Sequence, residues 1–153
     1  MRIGVISDTH GFFDPRIVRH FDGVARIIHA GDIGGEAILG RLGELATVTA
    51  VTGNVDWGRP LDRHVRRVEQ IELAVCRLYV THIGDAPARL AQRLPDPRPH
   101  VYIYGHSHIP LLEQREGVLF LNPGAAGKPR FGRQPSLALL ELGAEPVARI
   151  IML

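Results

Sequence analysis

In the first third of the chain, short runs of Val and Ile alternate with stretches whose apolar residues recur at helical spacing. Residues 2–7 read as a buried strand whose apolar character ends at Asp8, and Pro15 then opens a helix through Phe21. A second buried strand over 25–30 ends at Gly31-Asp32. From about Gly35 to Leu45, Ile38, Leu39 and Leu42 share one helical face. The β-branched run 47–52 predicts a third strand, stopping at Gly53-Asn54. Strands separated by helices imply right-handed crossovers and a parallel sheet.

The pattern changes at Val65. Residues 65–69 and 71–81 look like strands too close together for a helix between them, which makes them antiparallel. A helix over 86–94 and the segment 95–99 lead into an apolar strand, 100–104, that stops at Gly105-His106. Four further strands are expected over 111–114, 118–121, 136–142 and 147–152, with turns at Glu116-Gly117 and Gly143-Ala144. Two packed sheets with helices outside follow from this grammar. At 153 residues, with no linker, repeat or composition shift, the chain reads as one domain. A domain of that length buries roughly 70% of the surface its unfolded form exposes, enough to hold a rigid site.

Charge narrows the range of partners. The net charge is only +2, the Arg residues are scattered, and Lys128 is the single lysine, so no dense basic and aromatic groove for nucleic acid is present. Small anionic substrates remain compatible. Cys76, the sole cysteine, falls in an apolar run and reads as a buried strand residue. No apolar stretch suits a signal peptide or a membrane span, so a cytoplasmic protein is expected. Strands such as 136–142 suit either a core or a subunit interface, which leaves a homo-oligomer open.

Candidate chemistry concentrates where apolar runs stop. Asp8-x-His10, Gly31-Asp32, Gly53-Asn54-Val55-Asp56, Thr81-His82 and Gly105-His106-Ser107-His108 all stand at or just beyond strand ends. Each has an ordinary reading when taken singly: Asp8 and Asp32 as turn or helix caps, Asn54 as a turn residue, His82 as a core histidine. Gly-His-Ser-His is the most specific, because two imidazoles flanking a small residue rarely serve packing alone. In α/β sheets the loops at strand carboxyl ends converge on one crevice, so their joint occurrence favours a shared site. Imidazole, carboxylate and amide oxygen together suit divalent first-row ions. His20, His29, His64 and His100 lie outside the clusters and read as surface or packing residues.

In motif order and interval the chain resembles the calcineurin-like metallophosphoesterase superfamily, and within it the small bacterial and archaeal phosphodiesterase branch. The likeness runs from Arg2 to about Gly127 and includes the Asn122-Pro123-Gly124 turn. It implies a four-layer α/β/β/α sandwich of two mixed sheets flanked by helices. It also implies two divalent ions, one on Asp8, His10, Asp32 and His108, the other on Asp32, Asn54, His82 and His106, with Asp32 as the bridge. A hydroxide held between the ions would attack phosphorus in line, with Asp8, His10, Asp32, Asn54 and His106 as the catalytic set. Manganese is the favoured metal; iron, zinc and nickel are compatible.

One position departs from the family pattern. Many members carry His after the motif's Asn, thought to assist the leaving group and to be oriented by the next acidic residue; this chain has Val55 followed by Asp56. The departure favours phosphodiesters with good leaving groups over alkyl monoesters. Arg59, Arg63, Lys128 and Arg130 are candidate phosphate contacts, and no insertion is long enough to form a lid. The competing readings are a phosphomonoesterase acting on proteins or nucleotides, and a non-catalytic protein-binding scaffold of the same fold.

Overall fold

The computed structural model describes residues 1–129 and 132–153. Two five-stranded sheets pack face to face. The first contains β1 (Arg2–Ile6), β2 (Arg26–His29) and β3 (Thr47–Ala50), with β9 (Ser136–Glu141) and β10 (Val147–Met152) returning beside β1 in the order β10-β9-β1-β2-β3. Its first three strands are parallel, and β9 runs antiparallel to both of its neighbours, β1 and β10. The second runs β4-β5-β6-β8-β7, built from β4 (Val68–Leu73), β5 (Cys76–Thr81), β6 (Val101–Ile103), β7 (Leu111–Arg115) and β8 (Val118–Asn122). Here β5, β6 and β8 are parallel and the edges antiparallel, so both sheets are mixed.

Side-chain alternation divides the core into layers. Ile3, Val5 and Ile28 of the first sheet meet Leu78, Val80, Ile103 and Leu121 of the second to fill the space between the sheets. Cys76 lies in this layer, buried as its apolar run predicts. The other face of the first sheet is covered by α1 (Arg16–His20) and α2 (Glu36–Gly43) through Ile17, Phe21, Ile38 and Leu42. Leu90 of α3 (Pro87–Leu90) and Ala91 of the 3-10 turn that follows cover Tyr102, Tyr104 and Phe120 on the outer face of the second. The four-layer α/β/β/α sandwich is therefore the observed architecture.

Two local boundaries differ from the sequence pattern. The break expected at Gln70 does not exist: β4 runs through it, and the hairpin turns at Ala74-Val75, with Ala74 at φ 53°. No Gly, Pro or Asn marks that turn, and a left-handed alanine costs roughly 1–2 kcal/mol, so periodicity alone misplaced it. The helix expected over 86–94 shortens to α3 and the 3-10 turn Ala91–Arg93, because Leu94 must be extended before Pro95. No helix among the described residues is long and apolar enough to cross a membrane.

Candidate metal centre

All five polar clusters meet at one end of the two sheets. Asp8 follows β1, Asp32 follows β2, the 53–56 loop follows β3, His82 follows β5 and His106 follows β6. Parallel strands deliver their carboxyl-terminal loops to the same edge, which brings together residues far apart in sequence. Ligand atoms of Asp8, His10, Asp32 and His108 lie within 4.8 Å of one another. His108 Nε2 is 3.1 Å from Asp8 Oδ1, and His10 Nε2 is 3.8 Å from Asp32 Oδ2. A second group adjoins it: Asp32 Oδ1 is 3.3 Å from His82 Nε2, and Asn54 Oδ1 is 3.0 Å from His106 Nδ1. Asp32 thus turns one oxygen to each group.

The backbone is strained to achieve this. Seven non-glycine described residues have positive φ, and five of them are Asp8, His10, Asp32, His106 and His108 at 48–69°. The other two, Ala74 and Glu116, are hairpin turns. Asp and His tolerate the left-handed region better than most residues, yet each such position costs on the order of 1 kcal/mol or more and persists only where its surroundings impose it. Glycines make room for the convergence. A Cβ on Gly53 would strike the Asp32 carboxylate and backbone, and one on Gly31 would meet the His82 ring 2.5 Å away.

Hydrogen bonds aim the donors. His82 Nδ1 donates to the Ala30 carbonyl at 2.8 Å, which turns Nε2 toward Asp32. Asp8 Oδ2 accepts from Ser7 Oγ at 2.6 Å and from the His106 N–H at 3.1 Å, leaving Oδ1 facing the first group. Burial pushes the Asp32 carboxyl up, but the adjacent His82 ring, the Val55 N–H and the charge of His10 outweigh it and hold the group below its ordinary value. Burial pushes the His82 imidazole down. The nearby Asp32 carboxylate and the charge of Asp8 more than reverse that, raising its affinity for a proton.

A polar atom in each group is left over. Asp8 Oδ1 and His82 Nε2 are buried and lack a hydrogen bond of good geometry among the described residues. An unsatisfied buried carboxylate oxygen and imidazole nitrogen are costly unless a cation completes them. The donor set of imidazole, carboxylate and amide, without thiolate, fits divalent first-row ions.

Two supporting residues escaped the sequence reading. Asp56, expected to lack a partner, accepts the backbone N–H groups of Ile33 (3.0 Å), Gly34 (2.9 Å) and Gly53 (2.9 Å), tying the Asp32 loop to the Asn54 loop. His29 is fully buried and takes part in a chain from the Gly31 N–H through its ring to Thr9 Oγ1 and the Ile33 carbonyl. Its position at the end of β2, in register with Ile6 of β1, was the available signal. Among the candidate phosphate contacts, Lys128 lines a cavity beside Asp8, His10 and His108, and Arg133, which had no motif to mark it, lines the same cavity. Arg59 and Arg63 are exposed around the 3-10 turn Pro60–Arg63 and do not line it. Arg130 lies outside the described residues.

Residues 1–145 match the model of the calcineurin-like phosphoesterase superfamily domain. The chain belongs to that superfamily. A probable metallophosphoesterase of Methanocaldococcus jannaschii is 33% identical over 150 residues, covering 95% of this chain and 77% of the relative. A phosphodiesterase of the same organism is 28% identical, over 81% of this chain and 83% of its own length. Among solved structures, Vps29 of Chaetomium thermophilum superposes with a TM-score of 0.80 at 14% identity, covering all of this chain and 93% of that one. At that identity the likeness extends to the fold alone. The calcineurin-like phosphoesterase shares its sandwich with proteins that differ widely in sequence, so its chemistry has to be argued from the residues of the site.

Proposed function

We propose that the protein is a metal-dependent phosphodiesterase with a dinuclear centre, one ion held by Asp8, His10, Asp32 and His108 and the other by Asp32, Asn54, His82 and His106. The observation that carries this reading is the Asp32 carboxylate, with Oδ2 turned to His10 and Oδ1 to His82. When bound, the cations supply the positive charge that acidifies an attacking water and offsets charge growing on the phosphate oxygens. The chain's own residues set the geometry. Buried Asp8, Asp32 and His82 form a rigid floor, while Asn54 and His106 are exposed at the rim, where a substrate arrives. Val55 carries no proton to give, so the substrate's own leaving group must depart as a stable anion. That favours diesters with good leaving groups over alkyl monoesters and over a general phosphatase role. The hard and borderline donors favour manganese, and the soluble composition favours a cytoplasmic setting.

The test is metal analysis of chelator-stripped and reconstituted protein, followed by hydrolysis of an aryl phosphodiester with each ion. Two ions per chain and manganese-dependent turnover are expected. Asp32→Ala should lose both ions together, because the bridge belongs to both positions; retention of one full-affinity ion would overturn the shared-ligand assignment.

A further inference from the structure

Several arginines on this surface are engaged by carboxylates: Arg2 by Glu141, Arg16 by Asp14, Arg67 by Asp62, Arg93 by Asp85, Arg98 by Glu116. Lys128 and Arg133 are set apart by where they lie. Both line the cavity that opens beside Asp8, His10 and His108, and among the described residues neither makes an ion pair. Lys128 instead rests its ammonium 5.6 Å from the centre of the Phe12 ring. Two cations without an ion pair among the described residues, at the mouth of a cavity whose one carboxylate is Asp8, offer charge to an incoming anion.

The wall carrying them is fixed to the site. The Ala126 N–H donates to the Ser7 carbonyl at 2.9 Å and the Gly127 N–H to the Asp8 carbonyl at 3.1 Å, while Asn122 Nδ2 donates to the Gly105 carbonyl at 2.9 Å. The strand end that follows is held too, with Ser136 Oγ on the Pro123 carbonyl at 2.7 Å. The backbone bonds of Ala126 and Gly127 and the side-chain bond of Asn122 therefore tie the base of this segment, next to Lys128, to the Asp8 loop and the His106 loop. The groove on the other side, beside His106, has the opposite character. Tyr104, Ile109 and Leu111 line it without any Lys or Arg, and its one carboxylate, Asp85, is already held by Arg93 and Arg89.

We propose that Lys128 and Arg133 form an anion subsite, and that the substrate class is a phosphodiester with unlike substituents: one carries a second phosphate seated on this wall, the other is apolar and leaves across His106. This rests on the phosphodiesterase reading above and names the substrates that site selects. Lys128 acts as a point charge, whereas the Arg133 guanidinium offers paired donors to two phosphate oxygens.

Two measurements test it. In the manganese-loaded enzyme, kcat/KM is compared for phosphoethyl p-nitrophenyl phosphate and ethyl p-nitrophenyl phosphate. In the wild type the phosphorylated substrate should be preferred, and the Lys128→Gln/Arg133→Gln double variant should lose about tenfold of that preference, mainly through KM. Arg98→Gln, an equally exposed charge loss elsewhere, should keep it. Separately, inorganic pyrophosphate is titrated calorimetrically into metal-free protein, where the double variant should bind about tenfold more weakly than wild type. Equal pyrophosphate binding by the two proteins, or an unchanged substrate preference, overturns the subsite. Absence of any diester hydrolysis sinks the phosphodiesterase reading instead, and the pyrophosphate titration still decides the subsite.

Discussion

The Nε2 atoms of His10 and His108 lie 3.3 Å apart although the residues are 98 positions distant in the chain. Each comes from a loop whose backbone is held at positive φ, and each leans on a carboxylate, Asp32 for one and Asp8 for the other. The two rings can share one proton across that gap, and with the two carboxylates they make up the donor set of the proposed first ion. Replacing His108 by Ala should remove one donor from the first group only. Reconstituted protein is expected to retain the ion on His82 and His106 but to lose the other, and aryl diester turnover should fall at least about a hundredfold, the rate equivalent of losing a few kcal/mol of charge stabilisation. Metal counting by atomic emission beside steady-state kinetics reads both.

Asp56 supports the second group from behind. Its carboxylate takes three backbone N–H groups from two loops and is almost fully buried. Asp56→Ala would strand those donors at a cost of about 3 kcal/mol or more. For a domain of this length that lowers the melting temperature by roughly 6–12 °C. Asp56→Asn keeps an acceptor but turns an amide N–H toward a donor, so it should fall between. Thermal melts of the metal-free proteins compare them without interference from ion binding.

What could be read from the chain divides along physical lines. Strands buried on both faces, such as β1, β2 and β8, announce themselves as unbroken apolar runs, and the Asp, Asn and His residues that end such runs were visible as a set. The β4–β5 hairpin was misplaced because its turn rests on Ala74, whose left-handed backbone is set by the two-residue connection between paired Leu73 and Cys76 and has no residue signature. Asp56 was left without a role because its partners are backbone amides, which every residue carries. His29 looked like any core histidine. Arg133 was invisible for another reason: Asp8 and His10, which share its cavity, come from a loop more than a hundred residues away, and no motif surrounds it.

Val55 offers a gain-of-function test. Its N–H donates to Asp32 Oδ1 at 3.0 Å, a bond that any residue except proline keeps, and its side chain is only partly buried. Val55→His therefore adds an imidazole beside the second group without disturbing Asp32. On the leaving-group hypothesis, alkyl phosphomonoester turnover should rise at least about tenfold, below the usual full contribution of a positioned general acid because Asp56 already spends most of its acceptors on backbone amides. Monoester and diester rates on one preparation measure the effect. An unchanged ratio would show that this position plays no part in leaving-group departure.

His29 sets a pH limit on the fold. Gly31 donates its N–H to Nδ1, so the ring must donate through Nε2 to Thr9 Oγ1, and Thr9 passes its own proton to the Ile33 carbonyl. That order admits only the neutral imidazole; a second ring proton would confront the Gly31 N–H. Burial accordingly lowers the His29 pKa to about 4, against the pull of Asp8 and Asp56. In the unfolded chain the same ring titrates near ~6.5. Between those values the unfolded state holds one more proton than the native state, so stability rises with pH and is lost as pH falls from about 6.5 to about 4. The window corresponds to about 3 kcal/mol. His29→Gln, which keeps one donor and one acceptor but cannot titrate, should show a shallower loss across this range in urea melts of metal-free protein. Parallel curves for the two proteins would mean that the acid sensitivity comes from other groups.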